Sequence, residues 1–251
     1  MSRLFSANMM RLRKSRMFLI IEIFMAGYAF FVYESARSTI AYRGMIRDWH
    51  VYFFNVLLVS GIVQALFVSV FYNVEYSDGA IRNKLMVGHK RRDIYLVNLA
   101  TCLLAGLTMY ATYCLSALFF GLLFIGKETL QIQNVGAGII GSILVFMVYT
   151  VIFVLVEMLD QNKARSMAIN LIGALVILVA GMLCYGELAG NSEAAAFQWR
   201  IIELLFPSVL AMDVATGTEQ AAYATIVLSL VIETACLTGL GVWAFGRKDI
   251  Q

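Results

Sequence analysis

The residues of this 251-residue chain that could do chemistry by type and spacing are two glycine-rich strings, two histidines, four cysteines and two carboxylates inside apolar runs. Gly121-Leu-Leu-Phe-Ile-Gly126-Lys127-Glu128 matches the G-x-x-x-x-G-K spacing of a phosphate-binding loop. The next position should be a Ser or Thr to hold magnesium, and Glu128 there would repel phosphate. Gly136-Ala-Gly138-Ile-Ile-Gly141 has dinucleotide-loop spacing, but it opens an apolar run instead of joining a strand to a helix. Small residues in that setting serve close helix packing. Neither string makes a nucleotide site, and no cofactor is expected on this chain.

His50 and His89 both fall outside the apolar runs, H-E-x-x-H is absent, and no Asp lies in any of those runs. Serine–histidine, zinc and aspartyl chemistry inside a membrane therefore lack their groups, and an enzyme is not expected. Cys102, Cys114, Cys184 and Cys236 lie in apolar runs with no C-x-x-C pair, which suits small buried hydrophobes better than a disulfide framework or a zinc site. Glu22 and Glu233 stand inside apolar runs. A charged group at the centre of a bilayer costs about 2.5–3.5 kcal/mol on insertion scales, so such residues face protein or a water-filled cavity. They are candidate pathway contacts for cargo or protons; as structural residues they would make interhelical hydrogen bonds. Asn55, Gln64 and Asn170 have the same structural reading.

The elements that must position these residues follow from composition. The chain is 61% hydrophobic and 14% charged, with a mean hydropathy of +0.80; soluble domains are nearer about 45–50% apolar and about 25% charged. A bilayer core of about 30 Å takes about 20 apolar residues per helix. Six stretches qualify: 17–33, 51–73, 95–125, 135–156, 167–185 and 221–245. The period-2 alternation of a membrane barrel is absent. The expected fold is an all-α, polytopic membrane protein with six transmembrane helices in one domain, 1–251. Six spans put both termini on one side. Residues 1–16, 74–93, 157–166 and the C-terminal tail carry 14 of the 19 Lys and Arg, so the positive-inside rule makes both termini cytoplasmic. That distribution follows topology, and nucleic acid is not an expected partner. Residues 1–16 are basic and amphipathic, and they read as an interfacial helix leading into the first span.

The segment Glu75–Leu99, EYSDGAIRNKLMVGHKRRDIYLVNL, is a charged island between two apolar spans. Asp78-Gly79 is a turn pair. Ala80 to Val87 has two helical turns' worth of residues, with Ile81, Leu85 and Met86 on one side and Arg82, Asn83 and Lys84 on others. Gly88 stops that helix, and Asp93 is placed to cap the next span. The spacing predicts a short cytoplasmic helix lying along the membrane; a solvated inside-positive loop is the plainer reading.

The pattern E-x-x-D-G-x-I-R-N-K-L-x-x-G-x-x-R-x-x-I-Y-L from Glu75 resembles the cytoplasmic loop of permease subunits in the type-2 family of ATP-binding-cassette (ABC) exporters. The matching residues are Glu75, Asp78, Gly79, Ile81, Arg82, Asn83, Lys84, Gly88, Arg91 (with Arg92 an alternative), Ile94, Tyr95 and Leu96. Ala80 stands where that family commonly has Thr. The tail GLGVWAFGRKDIQ is similar to the family's F-x-R-K-D ending. The resemblance implies that 75–93 is a coupling loop docking on a separate ATPase, which binds ATP and magnesium. Glu75, Asp78, Gly79, Ile81, Arg82, Asn83, Lys84, Leu85, Gly88 and Arg91 would carry the contact, with bases for acidic partner residues and Ile81, Leu85 and Met86 for a groove. It further implies a second permease copy, identical or similar, and short re-entrant helices on the outer face in 186–220, which holds the only proline, Pro207. The expected function is export of a hydrophobic or amphipathic cargo, such as a peptide, a bacteriocin or a drug-like molecule, across a bacterial plasma membrane. A six-span channel or sensor without ATP coupling is the alternative.

Overall fold

A computed structural model describes residues 2–43, 49–77, 79–126, 135–160, 162–190, 207–216 and 220–247. Every described element is a helix: α1 (Ser2–Lys14), α2 (Arg16–Arg43), α3 (Trp49–Phe53), α4 (Val56–Ser77), α5 (Ala80–Met86), α6 (Arg91–Phe124), α7 (Val135–Leu159), α8 (Lys163–Gly190), α9 (Pro207–Thr216) and α10 (Gln220–Arg247). Six of them, α2, α4, α6, α7, α8 and α10, are long and apolar enough to cross a membrane. In lipid the helix is the form that satisfies its own backbone within one segment.

Two spans are longer than hydropathy alone predicts. The first continues to Tyr42; in this extension Arg37 donates hydrogen bonds of 2.6 and 2.9 Å to Glu34 one turn earlier, a pair spaced to support the helix. The fifth starts at Lys163 rather than 167. There the Asn162 side chain accepts the Arg165 backbone N–H at 3.2 Å, an N-cap, while Asp160 accepts the Arg165 guanidinium at 2.5 and 2.7 Å.

The two most buried spans, α4 and α7, form the middle of the bundle. α4 packs on α7 and α8, α10 and α6 pack on α7, and α2 packs on α6. Lipid is as apolar as the helices, so close packing holds them together, and the core is filled by large rings such as Tyr33, Phe54, Tyr72, Tyr113, Phe146 and Phe153. The second glycine string lies in the first two turns of α7, where Gly138 sits directly under the Phe54 ring. The first string belongs to α6 up to Phe124, with Gly121 buried; Lys127 and Glu128 lie outside the described residues.

Within 186–220 the described parts are the end of α8 and the ten-residue α9. Pro207 opens α9, where its missing N–H costs nothing. α9 lays the buried side chains Val209, Leu210, Ala211 and Val214 against the bundle, contacting α7, α8, α4 and α3.

Candidate functional site

The short α5 is built by its two glycines. Gly79 precedes it with φ of 63° and accepts the Asn83 N–H at 2.9 Å. At the other end Gly88 has φ of 91°. Its N–H donates to the Leu85 carbonyl at 2.9 Å, and the His89 N–H donates to the Lys84 carbonyl at 3.2 Å. These two bonds form a Schellman motif, whose left-handed position favours a residue without Cβ. The following helix, α6, is entered through Lys90 in an extended conformation with no side-chain cap. Asp93 is therefore not the cap that its position suggested; it lies in the first turn of α6, where its charge complements the helix dipole.

α5 divides the residues that the sequence grouped together. Ile81 is buried in the core, and Leu85 is partly buried against it. These two are turned into this chain and fasten α5 to it, so they are not available to a groove elsewhere. Arg82, Asn83, Met86 and Val87 form the exposed face, with Met86 71% and Val87 77% exposed. Gly88, Lys90 and Arg92 are also exposed, and Arg91 is partly so. Asp78 and the side chain of Glu75 lie outside the described residues.

Lys84 points inward: its Nζ donates to Asn8 Oδ1 at 3.2 Å. Asn8 Nδ2 in turn donates to Asn98 Oδ1 at 2.5 Å, and Asn98 Nδ2 faces Met158 Sδ at 4.0 Å. α1 is held against the protein by buried Leu4, Asn8 and Leu12. It is fastened further by Arg11, whose guanidinium stacks 3.9 Å over the Phe71 ring and donates to the Phe71 carbonyl at 3.4 Å.

A second polar group lies at the same end of the bundle. Asn170 Nδ2 donates to Ser69 Oγ at 3.0 Å, to Glu157 Oε1 at 3.0 Å and to the Phe153 carbonyl at 3.4 Å. The Ser166 hydroxyl, on the same helix as Asn170, donates to the Lys163 carbonyl at 3.2 Å. Glu157, Ser69, Ser166 and Asn170 are all buried, so this group ties α4, α7 and α8 together. Close by in the chain, Tyr95 of α6 packs its ring on Phe245 at 6.1 Å and its hydroxyl on Gly241 of α10.

Asn8, Asn98 and Glu157 were missed in the sequence. Asn8 carries a signal: it is the polar member of the Leu4–Asn8–Leu12 stripe on the buried face of α1. Glu157 was assigned to a loop, although the helical register runs unbroken through it to Leu159.

Glu233 has both carboxylate oxygens buried without a hydrogen-bond partner, and Glu22 has one. They sit on α10 and α2, which share no substantial interface among the described residues. Asn55 accepts the Tyr28 hydroxyl at 2.6 Å, and Gln64 is fully buried with its amide unpaired. None of the four cysteines is in a disulfide. Among the described residues no three His, Cys, Asp or Glu converge as a metal site. The arrangement holds helices together.

Among curated proteins, none matches this sequence. A family model described as ABC-2 family transporter protein matches residues 4–181. That stretch begins in α1, includes α5 and ends within α8, and the chain accordingly belongs to the ABC-2 family of transporter membrane proteins.

Proposed function

We propose that this permease subunit works in an ATP-driven exporter, with α5 as the coupling helix on which a separate ATPase docks. The observation that carries the reading is the division of α5: Ile81 and Leu85 anchor it, while Arg82, Asn83, Met86 and Val87 are left as an exposed two-turn face. ATP and magnesium belong to the ATPase. Moving a two-state transporter from 1:99 to 99:1 takes about 5.5 kcal/mol of differential binding. Fully burying an exposed Met or Val side chain contributes about 1.5–3 kcal/mol. Docking Met86 and Val87 in an apolar notch, with Arg82 against partner carboxylates, is thus of the right order.

A second permease copy completes the complex, with both termini and α5 on the cytoplasmic side of a bacterial plasma membrane. The 14-to-5 division of bases between the two faces supports that orientation. α9, with the residues around it in 186–220, is the outward re-entrant segment. The cargo is hydrophobic or amphipathic, a peptide, bacteriocin or drug-like molecule passing between the two permeases or entering sideways from the bilayer, and Glu22 and Glu233 are candidate contacts on its way.

Co-expression with the natural ATPase tests the reading. The two should copurify as a stable complex, and Arg82→Glu with Met86→Asp should abolish it while the permease still inserts and folds. Persistent failure of the wild-type pair to associate overturns the proposal and favours a channel or sensor.

A further inference from the structure

The hydrogen bonds from Lys84 through Asn8 to Asn98 have a fixed direction. A lysine ammonium has donors and no acceptor. Lys84 therefore has to meet the oxygen of the Asn8 amide, which it does at 3.2 Å. That leaves the Asn8 nitrogen facing Asn98 Oδ1, at 2.5 Å. Asn98 must then present its own nitrogen to Met158, at 4.0 Å. Asn8 is 3% exposed and Asn98 fully buried, so water does not replace the bond between them, while the bond from Lys84 is part-buried. One side chain of α1 accepts from α5 and donates to α6, the helix that follows the α5 loop. Aliphatic residues in its place would do neither. Leu4 and Leu12, one turn to each side, press α1 into the bundle and hold Asn8 at this junction.

We propose that Asn8 is a positioning residue: it clamps α5 to α6 and makes α1 part of the route by which a load on α5 reaches the spans. The proposal rests on the reading of α5 as the docking helix. Asn8 itself stays inside the chain and touches no partner. The load enters at the exposed α5 face and leaves through Asn98, on the turn of α6 beside Met158 and the Glu157–Asn170–Ser69 group.

Hydrogen–deuterium exchange on the full chain bound to its natural ATPase separates the two claims without knowledge of the cargo. In the wild type, vanadate trapping of the ATPase should change exchange in α5 and also in α6 around Asn98. With Asn8→Ala, the change in α5 should persist and the change around Asn98 should be lost. In the permease alone, Asn8→Ala should speed exchange of the α5 amides by about tenfold or more, since bonds to a charged group shift local opening by that order. Asn8→Asp should restore both readouts, because it keeps an acceptor for Lys84 and Asn98 can turn its amide to donate. Wild-type α5 exchange and wild-type propagation in Asn8→Ala overturn the proposal. No change in α5 of the trapped wild-type complex instead overturns the docking reading. If Asn8→Ala does not fold, Lys84→Met decides: it removes the donor and leaves the α1–α6 bond, so unchanged α5 exchange in that variant also refutes the clamp.

Discussion

Gly138→Ala separates a packing glycine from an incidental one. A Cβ built on Gly138 would stand 2.5 Å from Cζ, 2.8 Å from Cε2 and 3.3 Å from Cε1 of Phe54. Carbon atoms rest at about 3.5–4.0 Å, so the overlap approaches about 1 Å. The ring has nowhere to go, because Phe54 is fully buried with Phe53 edge-on at 5.1 Å. Overpacking of this kind costs about 1–3 kcal/mol, and alanine's better helix propensity returns up to about 1 kcal/mol. Gly136 lies half a turn away in the same helix and has nothing within 4 Å of its built Cβ. Gly136→Ala should therefore stabilise by about 0.5–1 kcal/mol. The two variants should differ by about 1–3 kcal/mol in denaturant unfolding of the detergent-solubilised chain, followed by far-ultraviolet circular dichroism. Phe54→Leu removes the obstructing atoms, so a double-mutant cycle with Gly138→Ala should show a coupling of about 1–3 kcal/mol. Equal effects of the two alanines, or strict additivity with Phe54→Leu, would refute the packing of α7 on Phe54.

Three further outcomes can be measured directly. Gly88→Ala, at φ of 91°, should cost about 1–2 kcal/mol of local stability and speed protease cleavage of the α5 loop, whereas Gly173→Ala, with open space around it, should not. Asn170→Ala removes a donor from buried Glu157 and should cost about 1–3 kcal/mol in the same unfolding assay; Glu157→Met, Asn170→Leu and Ser69→Ala together should cost less than Asn170→Ala alone, since the three side chains that bond one another are then all replaced. Glu233→Gln should leave the chain at least as stable as the wild type, because neither carboxylate oxygen has a hydrogen-bond partner to lose; an altered cargo range in transport assays would mark Glu233 as a pathway contact, and an unaltered one would leave it a packing residue.

The glycines that bound α5 were legible because their constraint is local. Asp78-Gly79 reads as a turn and Gly88 as a helix stop from chemistry within a few residues, and both glycines take positive φ. The faces of α5 were not legible. Met86 and Ile81 are comparably apolar, and only the position of the bundle decides that Ile81 is buried and Met86 exposed. Asp93 was misread as a cap because its type suits that role, while the backbone turns in three residues earlier, at Lys90. Glu157 was misread as a loop residue because a charge near the end of an apolar run signals water; its donor, Asn170, comes from another helix.

By itself the sequence determined the solvent of this protein and much of its local geometry. Hydropathy is a property of each residue against water or lipid, so six spans and a charged loop between the second and third could be read from one chain. Tertiary structure decided which polar side chains meet. Lys84 and Asn8 are 76 residues apart, Asn8 and Asn98 are 90 apart, and Asn170 and Ser69 are 101 apart. Such pairs depend on the rotation and depth of whole helices, which are set by packing over their full length. No spacing along the chain encodes that quantity.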